Sequence, residues 1–217
     1  MSTHIPPKSL LESLFDAERT ASRVREELAS LSSPLLFETL QMALREADAI
    51  KEHKERGLRL EQIAHLLERV EEEGGVDRLI DLLGDDEPSV RQAAGGALEE
   101  IGMDRFKDVA SGVERALARF AKGHWALREL PYLLAQFDDP RVGKILAKFL
   151  QHSDPYAVAS AIEAVVELEE HAAEPLLTQL EKDTRTVHID DEEGEATAVT
   201  LGELAREGLA LLHLDAE

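Results

Sequence analysis

The sequence predicts an all-α chain of stacked antiparallel helix pairs, and three observations carry that prediction. Apolar residues recur at helical spacing: Leu79, Ile80, Leu82 and Leu83 form one stripe, and Val90, Ala93, Ala94, Ala97, Leu98 and Ile101 form the next. Short acidic or proline-bearing turns separate such stripes, as at Asp85-Asp86-Glu87-Pro88, Asp138-Asp139-Pro140 and Ser153-Asp154-Pro155. Ala and Leu are abundant and aromatics make up only 4%, a mix suited to helix-on-helix packing rather than to a β-sandwich. A short helix cannot bury such a stripe alone, so the pairs must stack on one another.

Taken in order, Ser9 is placed to cap a first helix running to about Leu31, with Glu12 completing a capping box. Leu10, Leu11, Leu14, Ala17, Ala21, Val24, Leu28 and Leu31 mark one face of it. Ser32, Ser33 and Pro34 break it, and a second helix from Pro34 ends in the polar run KEHKERG at Gly57. A third helix, from Leu58 to about Glu73, is expected to stop at Gly74 and Gly75. From Val76 the repeats begin. The 76–102 unit is followed by pairs at 104–121 and 124–137, at 141–151 and 156–169, and at 172–182 and 196–213. Pro131 should kink its helix, and Gly95 and Gly96 should let neighbouring helices approach closely. The insertion TRTVHIDDEEGE in the last pair is expected to be a solvated loop, with His188, Asp190, Asp191, Glu192, Glu193 and Glu195 as an acidic cluster. Val90, Leu127 and Val158 anchor equivalent second helices, 37 and 31 residues apart, near the period of ~40 in helical arrays. Residues 1–75 thus read as a helical cap or divergent repeats, and 76–217 as one continuous array.

The 76–102 unit carries Asp86, Glu87, Pro88, Ser89, Val90, Arg91, Ala94, Ala97 and Leu98 in an order close to D-x-x-V-R-x-x-A-x-x-A-L. It resembles a HEAT repeat of the bacterial, phycobilisome-lyase-like type, and the resemblance extends, more degenerate, over roughly 76–214. It implies a right-handed α-α superhelix, a HEAT-like solenoid, that presents its surface to partner proteins. It also implies that the turn arginine Arg91, with Arg128 in the matching slot, bonds to an aspartate or to backbone of the preceding turn. The third pair has Ala159 in that slot.

Charge narrows the function. Twenty-four basic and 45 acidic residues give a net charge of −21, which repels phosphate backbones and argues against nucleic-acid binding. The chain has no cysteine, which removes disulfides and thiolate metal sites. No apolar run approaches the ~18 residues of a membrane span, and the first residues lack the features of a secretory signal. A soluble, cytoplasmic chain without membrane contact is the expectation. The acid excess is uneven: residues 105–152 hold nine basic and five acidic residues, whereas 153–217 hold three and seventeen.

Chemistry-bearing motifs are sparse. No two of the eight histidines lie three or four residues apart and none precedes a glutamate, so no helical metal pair is expected. There is no Gly-x-Ser-x-Gly elbow and no phosphate-binding loop. No catalytic residue, cofactor or metal is assigned. Arg115, Arg119 and Lys122 share one helix face, as do Arg141, Lys144 and Lys148, and stacking would join them into a basic strip beside Trp125. Second helices line the concave face of such solenoids, where Arg91, Gln92, Glu99, Trp125, Arg128 and Tyr156 are the candidate contacts. The expected function is a non-enzymatic protein-interaction scaffold or adaptor. The alternative is an acidic inhibitor or immunity-type protein that neutralises a basic effector, motivated by the acidic stretches 68–87 and 163–195. A bilin lyase-like enzyme ranks lower, because few aromatics are available to line a chromophore pocket.

Overall fold

The computed structural model describes residues 7–120, 122–190 and 196–214. These form an all-α solenoid with one small hairpin. The helices are α1 (Pro7–Ala29), α2 (Ser33–Asp48), α3 (His53–Leu67), α4 (Glu73–Leu82), α5 (Pro88–Arg119), α6 (Ala126–Ala135), α7 (Val142–Leu150), α8 (Pro155–Glu167), α9 (Glu174–Leu180) and α10 (Leu201–Leu214). The strands β1 (Thr186–Asp190) and β2 (Ala196–Thr200) lie between the last two helices.

Helix α5 is two helices in one run. Arg105 interrupts it with φ −132° and ψ 45°, so 88–104 closes one pair and 106–119 opens the next. The stack then reads as five pairs: α2 with α3, α4 with the first half of α5, its second half with α6, α7 with α8, and α9 with α10. Second helices pack on second helices along the chain, through α3, α5, α6, α8 and α10. Helix α8 sits deepest, with Ala157, Val158, Ala159, Ala161, Ile162, Ala164 and Val165 all buried. The small and β-branched residues on its buried faces let α6, α7 and α10 all reach it.

Several boundaries differ from those expected. Helix α1 begins at Pro7, so Ser9 lies inside it rather than at its cap. Gly57 falls within α3, and Gly74 and Gly75 within the first turn of α4. Packing explains the glycines at 74 and 75. A Cβ on Gly74 would meet the Phe37 ring at 2.5 Å, and one on Gly75 would meet Val70 at 2.8 Å. Gly95 and Gly96 do the opposite of what was expected: a Cβ on Gly95 would touch only Leu83 at 3.7 Å, and one on Gly96 would meet nothing within 4 Å. Helix α6 runs on through Pro131.

The insertion is a hairpin rather than a loop, and α10 starts at Leu201 rather than 196. Val187 pairs with Val199 and His188 with Ala198 in an antiparallel register, and Val187 is buried. Alternating β-branched residues in Thr186-Val187-His188-Ile189 and Thr197-Ala198-Val199-Thr200 favour extended backbone. Of the acidic cluster, Asp191, Glu192, Glu193 and Glu195 lie outside the described residues.

Candidate second-helix interface

The turns between paired helices are held by arginines. Arg91 Nη1 donates to the carbonyl oxygens of Asp85 and Asp86 at 2.8 and 3.1 Å. Arg56, at the start of α3, reaches forward to the same turn and donates to both carboxylate oxygens of Asp85 at 3.0 and 2.6 Å. Burial alone would raise the Asp85 carboxyl, but the Arg56 bonds and the Glu87 amide outweigh it and hold it below the ordinary range. The α7–α8 turn, whose α8 carries Ala159 in the arginine slot, is held from elsewhere. Arg185 Nη1 donates to the carbonyls of His152 and Ser153 at 2.8 and 3.1 Å, while Asp183 grips the same guanidinium. Asp154, 1% exposed, caps α8 by accepting from the amides of Tyr156 and Ala157, and also accepts from the Gly123 amide of the preceding pair.

Along this corner four predicted site residues stack into one ladder. The Arg91 guanidinium lies 5.1 Å from the Trp125 ring centre, Arg128 lies 4.8 Å from Trp125, and Arg128 lies 3.5 Å from Tyr156. Arg128 thus sits between two aromatic faces, and its buried Nε has no hydrogen-bond partner among the described residues. The Tyr156 hydroxyl accepts from the His188 amide at 3.3 Å, which ties the ladder to β1. The expected turn bond of Arg128 is therefore replaced by stacking across three consecutive pairs.

Beside the ladder runs a furrow on the second-helix face. One stretch, of about 580 Å³, is lined by Glu61 and His65 of α3 and by Ser89, Gln92, Gly96 and Glu99 of α5. The next, of about 410 Å³, shares Gln92, Gly96 and Glu99 and adds Arg91, Glu129, Tyr132 and Gln136. Tyr132 donates its hydroxyl to Glu163 of α8 at 2.5 Å, which carries the line to a fourth helix. Burial and then the Glu163 carboxylate push the Tyr132 phenol up to about 12. Glu129 accepts from Trp125 Nε1 at 2.9 Å. Among the described residues, no cation forms an ion pair with Glu61, Glu99, Glu129 or Glu163. The open position at Gly96 keeps the floor low.

The structure does not leave the predicted basic strip free. Arg115 pairs with Asp77 at 3.0 Å, Arg119 with Asp81 at 2.8 Å, and Lys148 with Glu114. Arg141 pairs with Asp139 at 2.7 Å and lies over the Phe106 ring at 5.0 Å. The Arg141 hydrogen bonds lower the Asp139 carboxyl to about 2. Only Lys122 and Lys144 of the two rows have no ion pair among the described residues. Physically, in a chain with nearly two acids per base, a cation on a helix face finds a carboxylate on the adjoining helix.

Gln92 and Glu99 were identified from sequence and do line the furrow; Glu61, Glu129 and Glu163 were missed. Glu61 and Glu163 stand nine residues past their helix caps but Glu129 four and Glu99 twelve, so aligning the repeats does not superpose the four. Among the described residues, no group of three His, Asp or Glu is placed to hold a metal, and no helix is long and apolar enough to cross a membrane.

No protein-family model and no curated protein matches this chain. Solved structures with some likeness include a designed armadillo repeat protein in complex with the peptide (KR)4, at 18% identity over 96% of this chain and 95% of that one, with a TM-score of 0.37. A second designed armadillo repeat protein matches at 18% identity over 89% and 92%, with a TM-score of 0.36. An engineered protein matches at 19% identity over 97% and 94%, with a TM-score of 0.37. The architecture here rests on its own helix pairs.

Proposed function

We propose that this chain is a non-enzymatic, HEAT-like scaffold that holds an extended cationic segment of a partner protein along its second-helix face. The observation that supports this reading is the row of carboxylates at Glu61, Glu99, Glu129 and Glu163, none ion-paired among the described residues. On the opposite side of the stack, Asp77, Asp81 and Glu114 are matched to Arg115, Arg119 and Lys148 of facing helices. Carboxylates left side by side raise the local negative potential and draw in positive charge. Tyr132 lines the same furrow and Trp125 is bonded to Glu129 at its edge, so aliphatic stems of lysine or arginine would have flat surfaces to lie against. Gln92 and Gln136 supply amide groups for backbone contacts.

Trp125, the only tryptophan, reports on this site. Titration with an oligo-arginine peptide should change its fluorescence, with an affinity that falls steeply as salt is raised. An oligo-glutamate peptide should have no effect. Failure of the cationic peptide to bind at low salt would overturn the reading. The same acidity suits the second reading, a folded basic effector neutralised by this chain. That reading predicts tight capture of a basic protein while short cationic peptides bind weakly.

A further inference from the structure

Helix α1 differs from every other helix in the chain. Seven apolar residues, Leu10, Leu14, Ala17, Ala21, Val24 and Leu28 with Leu31 just beyond its end, are spaced four and three residues apart in alternation, and Leu11 and Phe15 stand beside the first two. That spacing of 3.5 is a coiled-coil seam; the adjacent apolar positions that a core-facing helix adds, as α5 does with Ala93-Ala94 and Ala97-Leu98, occur in α1 only at its ends, at Leu11, Phe15 and Ala29. No described side chain of α1 is buried, and Leu10, Leu14 and Val24 are 52%, 62% and 45% exposed. Its later part touches α3, where Arg25 Nε donates to Gln62 at 2.9 Å. Beside that contact an apolar groove of about 640 Å³ stays open, lined by Ala17, Thr20, Ala21, Val24, Leu28 and Leu66. Most helical stability in proteins comes from packing an apolar face, so a seam left uncovered over most of α1 calls for a partner helix.

We infer that the seam is covered by a second copy of this chain, its α1 lying antiparallel in the groove about a two-fold axis between residues 22 and 23. Two features favour this occupant. In that register Ala17 faces the partner's Leu28, and Ala21 faces the partner's Val24, so each of these central layers joins a small side chain to a larger one. Leu14 meets the partner's Leu31 just past the helix end. Charge agrees with shape: Glu18 and Arg25, one heptad apart along the flank and 3.3 Å apart within α1, would each meet the opposite charge on the other copy as well. A parallel pairing would instead stack Ala17 on Ala17 and Ala21 on Ala21, and would leave Glu18 and Arg25 facing uncharged side chains. This inference is independent of the furrow.

Sedimentation equilibrium on the full chain tests it. The expected mass is twice 24.0 kDa at micromolar concentration. Leu14→Glu with Val24→Glu should weaken pairing at least a hundredfold and return a monomer. Those sites are exposed, so the far-UV spectrum of the remaining helices should persist and confirm a folded variant. Glu18→Arg alone should weaken pairing about tenfold, and adding Arg25→Glu should restore it. A wild-type chain that stays monomeric would overturn the inference, as would a dimer indifferent to the Leu14/Val24 variant. A dimer that the combined charge swap fails to restore would contradict the antiparallel register.

Discussion

The two faces of the helix stack treat the same excess of acid in opposite ways. On the first-helix face, α4, the second half of α5 and α7 are stitched together by Asp77 with Arg115, Asp81 with Arg119, and Glu114 with Lys148. On the second-helix face, Glu61, Glu99, Glu129 and Glu163 follow one another with only neutral partners, Trp125 and Tyr132, bonded to two of them. A net charge of −21 is therefore not a uniform coating. Three ion pairs bridge first helices, whereas among the described residues none forms at the four furrow glutamates. A surface that forgoes available ion pairs keeps that charge for something else.

The contrast between packed interior and open furrow is sharpest along one helix. A Cβ on Gly102 would meet the Phe137 ring at 2.2 Å, and that ring already packs on Phe106 at 5.0 Å. Gly102→Ala should therefore destabilise the chain by about 3 kcal/mol in urea unfolding. If it left the midpoint unchanged, the description of the Arg105 break would need revision. Next in size is Asp154→Ala, which removes the α8 cap and strands the Gly123 amide. A loss of about 2 kcal/mol is expected, with α8 amides exchanging faster in hydrogen exchange.

The corner that joins the two faces gives a pH signature. Asp85 is held below its usual value of 3.8 in the fold, so its contribution is complete above that value and is lost as pH falls through the lower folded one. Acid titration of stability should steepen below about pH 4. Asp85→Asn should flatten that slope and cost about 1 kcal/mol at neutral pH. Gly96→Ala is predicted to stabilise by about 0.5–1 kcal/mol, because nothing opposes the added methyl and a helical glycine is replaced. Smallest of all, Asp77→Asn with Asp81→Asn should change stability by less than about 1 kcal/mol, since Arg115 and Arg119 are half exposed. It should leave peptide binding untouched.

The helical pairing was legible because it depends on apolar spacing, which survives wherever the repeat core must be filled. Val90, Leu127 and Val158 are all fully buried, as their matching positions require. The turn role of Arg91 was legible too, for it rests on a local offset between a turn and the helix that follows. What escaped was non-local. Arg185 serves a turn some thirty residues earlier, and nothing near Ala159 signals that. Gly74 and Gly75 read as a stop, because sequence alone does not reveal that Phe37 and Val70 occupy the space beside them. The basic strip failed for a related reason: helix-face spacing locates Arg115 and Arg119, while only the stack brings Asp77 and Asp81 beside them. The hairpin was overlooked because its acidic tip outweighed the alternation of its β-branched flanks.

The most direct test compares one cationic peptide across the two faces. Isothermal titration of oligo-arginine against the wild-type chain, Glu99→Gln with Glu129→Gln, and Asp77→Asn with Asp81→Asn would separate them. The furrow variant should lose at least tenfold in affinity, about 1.4 kcal/mol, and the first-helix variant should match wild type. Equal losses from both variants would show that the peptide senses only net charge, and no loss from either would show that it rests on neither face; each result would contradict the assignment of the second-helix face.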